Sequence, residues 1–286
     1  MTQTRRILVT GATGGVGRHV LAGLVERGHR VRALVRDPDA ADLPMTVEKV
    51  GGDLAEPATL DGALDGVESV FLLWPFFSAA GAPAVVDKIA RRAAHVVYLS
   101  AEGAAEDPKS FWAAVEGEIQ TSGVSWTFLR PTGFAKNTLE WADQVRAGVV
   151  RAPHGQAARS LIDERDIAAV AVRALTEDGH AGATYVLTGP ETVTRAEQVR
   201  LIGEAIGRPV RWEEQSSQDA RPELIALFGD EEFADRALDA WAGLVRRPER
   251  VTSTVAELTG APARTFRQWA IDHADAFGDV AAAGRT

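Results

Sequence analysis

Gly11, Gly14 and Gly17 lie within TGATGGVG, residues 10–17, directly after the apolar run Ile7-Leu8-Val9 and before a segment with apolar positions at Val20, Leu21, Leu24 and Val25. Glycines spaced in this way between a strand and a helix leave backbone N–H groups unshielded at the positive end of the helix, an arrangement that holds a pyrophosphate. Thr13 and Val16 belong to the same turn. An ordinary tight strand-to-helix turn uses the same residues, so the end of the second strand carries the distinction. That second apolar run ends Val35-Arg36-Asp37, where a dinucleotide-binding fold meets the adenosine ribose: an acid accepts the hydroxyls of NAD, and an arginine pairs with the 2′-phosphate of NADP. Arg36 comes first, so NADP is expected, with NAD as the alternative. Asp53 and Leu54, after the third run, either border the adenine or form a capped turn.

The elements that position these residues read from periodicity. Arg5–Thr10, Arg30–Val35, Thr46–Val50, Ser69–Leu73, His95–Leu99 and Ser125–Leu129 read as strands, with helices between them. Such βαβ alternation of fully apolar strands predicts α/β architecture with a doubly wound parallel sheet. Residues 160–162 and 184–187 read as further strands that return to it. Thr194 and Glu197 form a capping box for a helix to about Ile206, and the chain onward to Phe277 reads as mostly helical, with Trp212 on a short strand and Trp241 and Trp269 on helices. The expected organisation is a Rossmann domain over 1–190, a smaller, mostly helical C-terminal lobe facing the substrate over 191–280, and a disordered tail at 281–286.

Composition narrows the function classes. A net charge of −9 with dispersed Lys and Arg argues against nucleic acid. Without cysteine there is neither a disulfide nor a thiolate nucleophile or zinc site, and the six histidines show no ligand spacing, so no metal is expected. No run has membrane-span length, and Met-Thr-Gln-Thr-Arg-Arg lacks a signal-peptide apolar stretch. A cytoplasmic protein without a membrane partner, monomeric or homodimeric, is expected.

With TGATGGVG, LVRDP, GGDL, VVYLSAEGA, SGVSWTFLRPTGFAKN and YVLTGPE, the chain resembles the NmrA-like branch of the atypical short-chain dehydrogenases/reductases from about Arg5 to Phe277. The resemblance implies an NAD(P)(H)-binding Rossmann fold. It also implies either a reductase of quinones, dyes or benzylic ethers, or a redox sensor without turnover. The superfamily's Tyr-x-x-x-Lys pair is absent: the only tyrosines are Tyr98 and Tyr185, followed four residues on by Glu102 and Gly189. Many NmrA-like members place a histidine four residues before a glutamate; here Glu116 matches the glutamate, and Trp112 stands in the histidine's place.

The remaining chemistry is aromatic. Trp74, Phe76 and Phe77 leave the fourth strand where nicotinamide is expected, and Phe111, Trp112, Phe134 and Trp141 come from the other flanking segments. Leu73, Trp74, Ser100, Pro131 and Phe134 are expected to line the cofactor, and Trp74, Phe76, Trp112, Phe134 and Trp141 the substrate. Ser100 and Glu116 are the catalytic candidates; a helix-surface carboxylate is the alternative for Glu116. An extended π-system spreads the charge that hydride delivers, so a hydroxyl or backbone N–H suffices without a dedicated acid. The reading is an NAD(P)H-dependent oxidoreductase passing hydride to a bulky conjugated or aromatic small molecule. The alternative is a catalytically silent, dinucleotide-sensing regulatory protein that binds NADP(H) and a protein partner.

Overall fold

The computed structural model describes residues 4–278. Among them the short β-branched runs form β1 (Arg6–Val9), β2 (Arg30–Val35), β3 (Glu48–Gly51), β4 (Ser69–Leu73), β5 (His95–Leu99), β6 (Ser125–Pro131), β7 (Val149–Ala152), β8 (Ala158–Arg159), β9 (Ala183–Leu187), β10 (Val193–Thr194) and β11 (Arg211–Glu214). Seven of these make one sheet in the order β3-β2-β1-β4-β5-β6-β9, with every neighbouring pair parallel.

Side chains alternate between the two faces of a strand, and a parallel sheet hides both. Leu8, Val70, Val96 and Phe128 pack into one core with Val85 and Ile89 of the helix Ala82–Ala90 and with Val115 and Ile119 of the helix Phe111–Thr121. Their neighbours in sequence, Ile7, Val9, Phe71, Val97 and Leu129, are just as buried. They belong to the face served by the helices Gly15–Glu26 and Glu164–Thr176, which pack against each other where Gly23 meets Val172. The fold is therefore the doubly wound α/β sheet that the alternation predicts. Strand order reverses direction between β1 and β4, and ligands of such sheets bind outside the carboxyl ends of the strands at that switch point.

The chain divides into two units that interleave along the sequence, where the sequence suggests a single boundary near residue 190. The first unit runs to Thr132 and adds Glu164–Leu187 and Thr254–Pro262; it holds the sheet. The second takes Gly133–Asp163, Thr188–Ser253 and the described residues from Ala263 onward. Its core gathers Trp141, Val145, Val199, Ile202, Phe266, Trp269 and Phe277. In it β7 pairs in parallel with β11, and β8 pairs antiparallel with β10. Trp212 lies on β11, and Trp241 and Trp269 lie on the helices Glu231–Arg246 and Phe266–Asp272, as expected.

Residues 184–187 return to the sheet within β9, but 160–162 do not. Ser160 N–H is taken by the Glu249 carboxylate at 2.8 Å, and Ile162 makes only an isolated bridge to Phe134. A side chain has claimed the backbone donor that a ladder needs. The expected tail at 281–286 lies outside the described residues. No helix among the described residues is long and apolar enough to cross a membrane.

Candidate functional site

The glycine turn is built by close approach. Gly11 adopts φ +62°, a left-handed conformation that favours glycine, and its carbonyl accepts from Gly14 N–H at 2.9 Å. A Cβ on Gly17 would stand 2.0 Å from that same carbonyl oxygen, and one on Gly14 would stand 3.1 Å from it. The helix starts at Gly15 with no side-chain cap at Gly14, so the first-turn N–H groups keep no side-chain acceptor of their own. Thr10 ties this turn to β4: its hydroxyl accepts from Leu73 N–H at 2.7 Å and lies 3.2 Å from Phe71 O. Arg18 folds back onto the carbonyls of Gly14 and Thr13. Thr13 is exposed and Val16 buried, so the turn presents its backbone over an apolar floor.

At the end of β2, Arg36 is exposed and makes no hydrogen bond or ion pair among the described residues. Asp37 beside it is engaged locally, its Oδ1 accepting from Asp39 and Ala40 N–H. The guanidinium is thus left available to a phosphate while one oxygen of the neighbouring carboxylate holds a turn. After β3, Asp53 Oδ1 accepts from Ala55 N–H at 2.9 Å in a capped turn, and Leu54 is buried.

The registers Leu73↔Leu99 and Leu99↔Leu129 carry Trp74, Ser100 and Pro131 to the same carboxyl edge of the sheet. Ser100 is 3% exposed, and its hydroxyl has no hydrogen-bond partner although it is sealed from solvent. A buried hydroxyl without a partner costs stability, and such a group at a ligand-binding edge points to a ligand. The turn closed to a Cβ at Gly17, the unengaged Arg36 and the orphaned Ser100 hydroxyl fit a dinucleotide lying along this edge.

Glu116 has a different character. It is buried, and both of its oxygens are held by Arg130 from β6, Nε–Oε1 at 2.9 Å and Nη2–Oε2 at 2.5 Å. Tyr98, fully buried in β5 with its ring edge-on to Phe128, also has an orphaned hydroxyl. Burial, and then the charge of Glu116, push that phenol well above its ordinary range.

The aromatic residues separate into groups. Trp74 is 7% exposed, packs edge-on to Phe76 at 5.0 Å and donates its indole N–H to Ser78 O. It belongs to the core. By contrast Phe77 is 74% exposed and meets Phe111 edge-on at 5.9 Å, and Phe111 lies over Trp112 at 4.2 Å. Gly103 faces the Trp112 ring at the distance of ordinary contact. No ring contact joins Trp74 to Trp112 among the described residues. Phe134 and Trp141 belong to the second unit, where Phe134 is half-buried and Trp141 is core, edge-on to Trp212 at 6.0 Å. Sequence reasoning missed Thr10 and Arg130. Thr10 was legible as the polar residue closing an apolar strand; Arg130 carried no local signal because its partner lies on another element.

The family described as NAD(P)H-binding matches residues 11–178 of this chain. Similar proteins include a (4-alkanoyl-5-oxo-2,5-dihydrofuran-3-yl)methyl phosphate reductase of Streptomyces griseus, 42% identical over 95% of this chain and 99% of that one. An NAD(P)H azoreductase of Xenophilus azovorans is 38% identical over 95% of this chain and 99% of its own. The crystal structure of an NADPH-dependent quinone oxidoreductase of Escherichia coli complexed with NADPH superimposes with a TM-score of 0.78 at 24% identity, covering 92% of this chain and 98% of that one.

Proposed function

We propose a function from one premise: the chain belongs to the NAD(P)H-binding family, and its motifs resemble the NmrA-like branch of the atypical short-chain dehydrogenases/reductases. It is an NADPH-dependent reductase of conjugated or aromatic small molecules. The observation that carries this reading is the orphaned Ser100 hydroxyl, sealed at the carboxyl edge of the same sheet whose β1 leads into a glycine turn closed to a Cβ at Gly17.

The glycine turn over Gly11–Gly17, with Thr13 and Val16, would hold the pyrophosphate. Arg36 would take the 2′-phosphate, Asp53 and Leu54 would border the adenine, and Leu73, Ser100 and Pro131 would flank the nicotinamide. A reduced nicotinamide held there would supply a hydride. Ser100 donates its hydroxyl proton in a hydrogen bond to the oxygen or nitrogen on which negative charge grows, and the surrounding burial strengthens that bond. Phe77, Phe111 and Trp112 supply flat apolar surface for an acceptor. Glu116 and Arg130 hold β6 against the helix Phe111–Thr121 and so position Trp112; this pair is an anchor, and Glu116 is not the proton donor. With Tyr98 enclosed, neither of the superfamily's proton-donating groups is available, so the acceptor must accommodate the charge itself. Azo, quinone and acyl-dihydrofuranone acceptors, those of the named relatives, share this property. Action in the cytoplasm as a monomer or homodimer completes the proposal.

The test monitors reduced-nicotinamide absorbance with purified protein, NADPH and a panel of azo dyes, quinones and acyl-furanones. Acceptor-dependent oxidation that collapses in Ser100→Ala supports the reading. Tight NADPH binding without oxidation by any acceptor would replace it with the dinucleotide-sensing one.

A further inference from the structure

Among the described residues two arginines are buried, Arg32 and Arg195. Arg32, Arg130, Arg159 and Arg264 each hold a carboxylate, from Glu48, Glu116, Glu249 and Asp163 respectively. Arg195, in the second unit, is 5% exposed, and its side chain makes no hydrogen bond or ion pair among the described residues; its Nε is sealed from solvent with no acceptor. Three indoles surround it: Trp241 at 4.1 Å from the guanidinium carbon to the ring centroid, Trp141 at 5.2 Å and Trp212 at 5.9 Å.

Tryptophan faces stabilise the cation, but they serve its flat faces and not the five N–H donors around its edge. Glu140 and Glu214 support its charge through space and Arg159 opposes it, yet neither carboxylate reaches ion-pair distance. Glu214 is already engaged, accepting from Gly155 N–H and from the Trp212 indole, and Arg159 is held by Glu249. Burial lowers Arg195 only to about 10, so it remains cationic at neutral pH. Leaving a desolvated cation without an acceptor is costly, and a planar fork of donors matches the two oxygens of a phosphate or carboxylate.

We infer that the tryptophan cage around Arg195 is a binding site for a small oxyanion, specifically a phosphate monoester carried on a flat apolar body. The guanidinium edge takes two phosphate oxygens, and the indoles that flank it give the apolar body a surface that free phosphate does not use.

Isothermal titration of the full chain with phenyl phosphate and with inorganic phosphate tests this, with and without saturating NADPH. Phenyl phosphate is expected to bind one-to-one and about tenfold more tightly than inorganic phosphate, with NADPH leaving its binding in place. Arg195→Met should abolish the binding, and Arg195→Lys, which keeps the charge but loses the fork, should weaken it by about tenfold. Equal affinity for the two probes, displacement by NADPH, or unchanged binding in Arg195→Met would each overturn the inference. Should the variants fail to fold, NMR of the wild-type protein decides. Titration with phenyl phosphate must then move the Arg195 Nε–H signal together with indole N–H signals of the cage, and silence there refutes the site.

Discussion

Replacing Gly17 with alanine sets two physical effects against each other. Gly17 sits in the first turn of the helix Gly15–Glu26, and alanine is favoured over glycine inside a helix by about 1 kcal/mol. Propensity alone therefore predicts a more stable protein. The added methyl, however, would stand 2.0 Å from Gly11 O, 2.7 Å from Gly11 C and 3.1 Å from Ala12 Cα, all backbone atoms with no rotamer to yield. The turn must retreat by about 1 Å to restore ordinary contact, an overpacking strain that costs about 1–3 kcal/mol and cancels the propensity gain. That movement also displaces the N–H groups proposed to face the pyrophosphate. Losing one charge-assisted hydrogen bond costs about 1.5–3 kcal/mol, or about 10- to 150-fold in affinity. Gly117 is the control, since it lies inside the helix Phe111–Thr121 and a Cβ there meets nothing within 4 Å. Calorimetric titration with NADPH, paired with thermal denaturation, should show Gly117→Ala stabilised with native affinity and Gly17→Ala unstabilised with affinity reduced at least tenfold. If both alanine variants bind and melt alike, the cradle does not hold the pyrophosphate.

Arg36→Ala should weaken NADPH by about 1.5–3 kcal/mol while leaving NADH within a few-fold; equal losses for both would show that Arg36 does not read the 2′-phosphate. Ser100→Ala should lower acceptor reduction by about 2.7–4 kcal/mol in barrier without destabilising the fold, because the hydroxyl has no protein partner to lose; an unchanged rate would exclude it from the chemistry. Glu116→Gln should cost about 3 kcal/mol in urea denaturation, since it strips the charge opposite Arg130, while reduction continues; an inactive but stable variant would restore Glu116 as an acid or base. His95, between Ser125 Oγ at 2.9 Å and Thr127 Oγ1 at 3.1 Å, is pulled down to about 4 by burial and by the charges of Arg5 and His180. The unfolded chain therefore takes up this proton first, and stability should fall as pH drops from about 6.5 toward 4. His95→Gln should flatten that slope, and an unaltered profile would assign the acid sensitivity elsewhere.

What the sequence determined by itself was local. The strands, the glycine turn and the helix behind it depend on short continuous apolar runs, on the absence of side chains at three positions and on residues within one or two turns of each other, so spacing along the chain reports them directly. The same holds for Arg36, whose meaning comes from standing at the end of β2. Tertiary structure decided everything that needs a partner distant along the chain. Glu116 is legible as a carboxylate on a helix but becomes an anchor only because β6 brings Arg130 to it. Trp74 and Phe77 look alike in sequence, three residues apart, yet packing puts one in the core and the other on the surface. Residues 160–162 have the composition of a strand and lose the ladder because Glu249, some ninety residues on, takes the Ser160 N–H. The Arg195 cage draws its walls from Trp141, Trp212 and Trp241, positions that share no period with Arg195 or with one another. Propensity and turn chemistry act over a few bonds, whereas burial and ion pairing are settled by which surfaces meet, and the one-dimensional pattern does not contain that information.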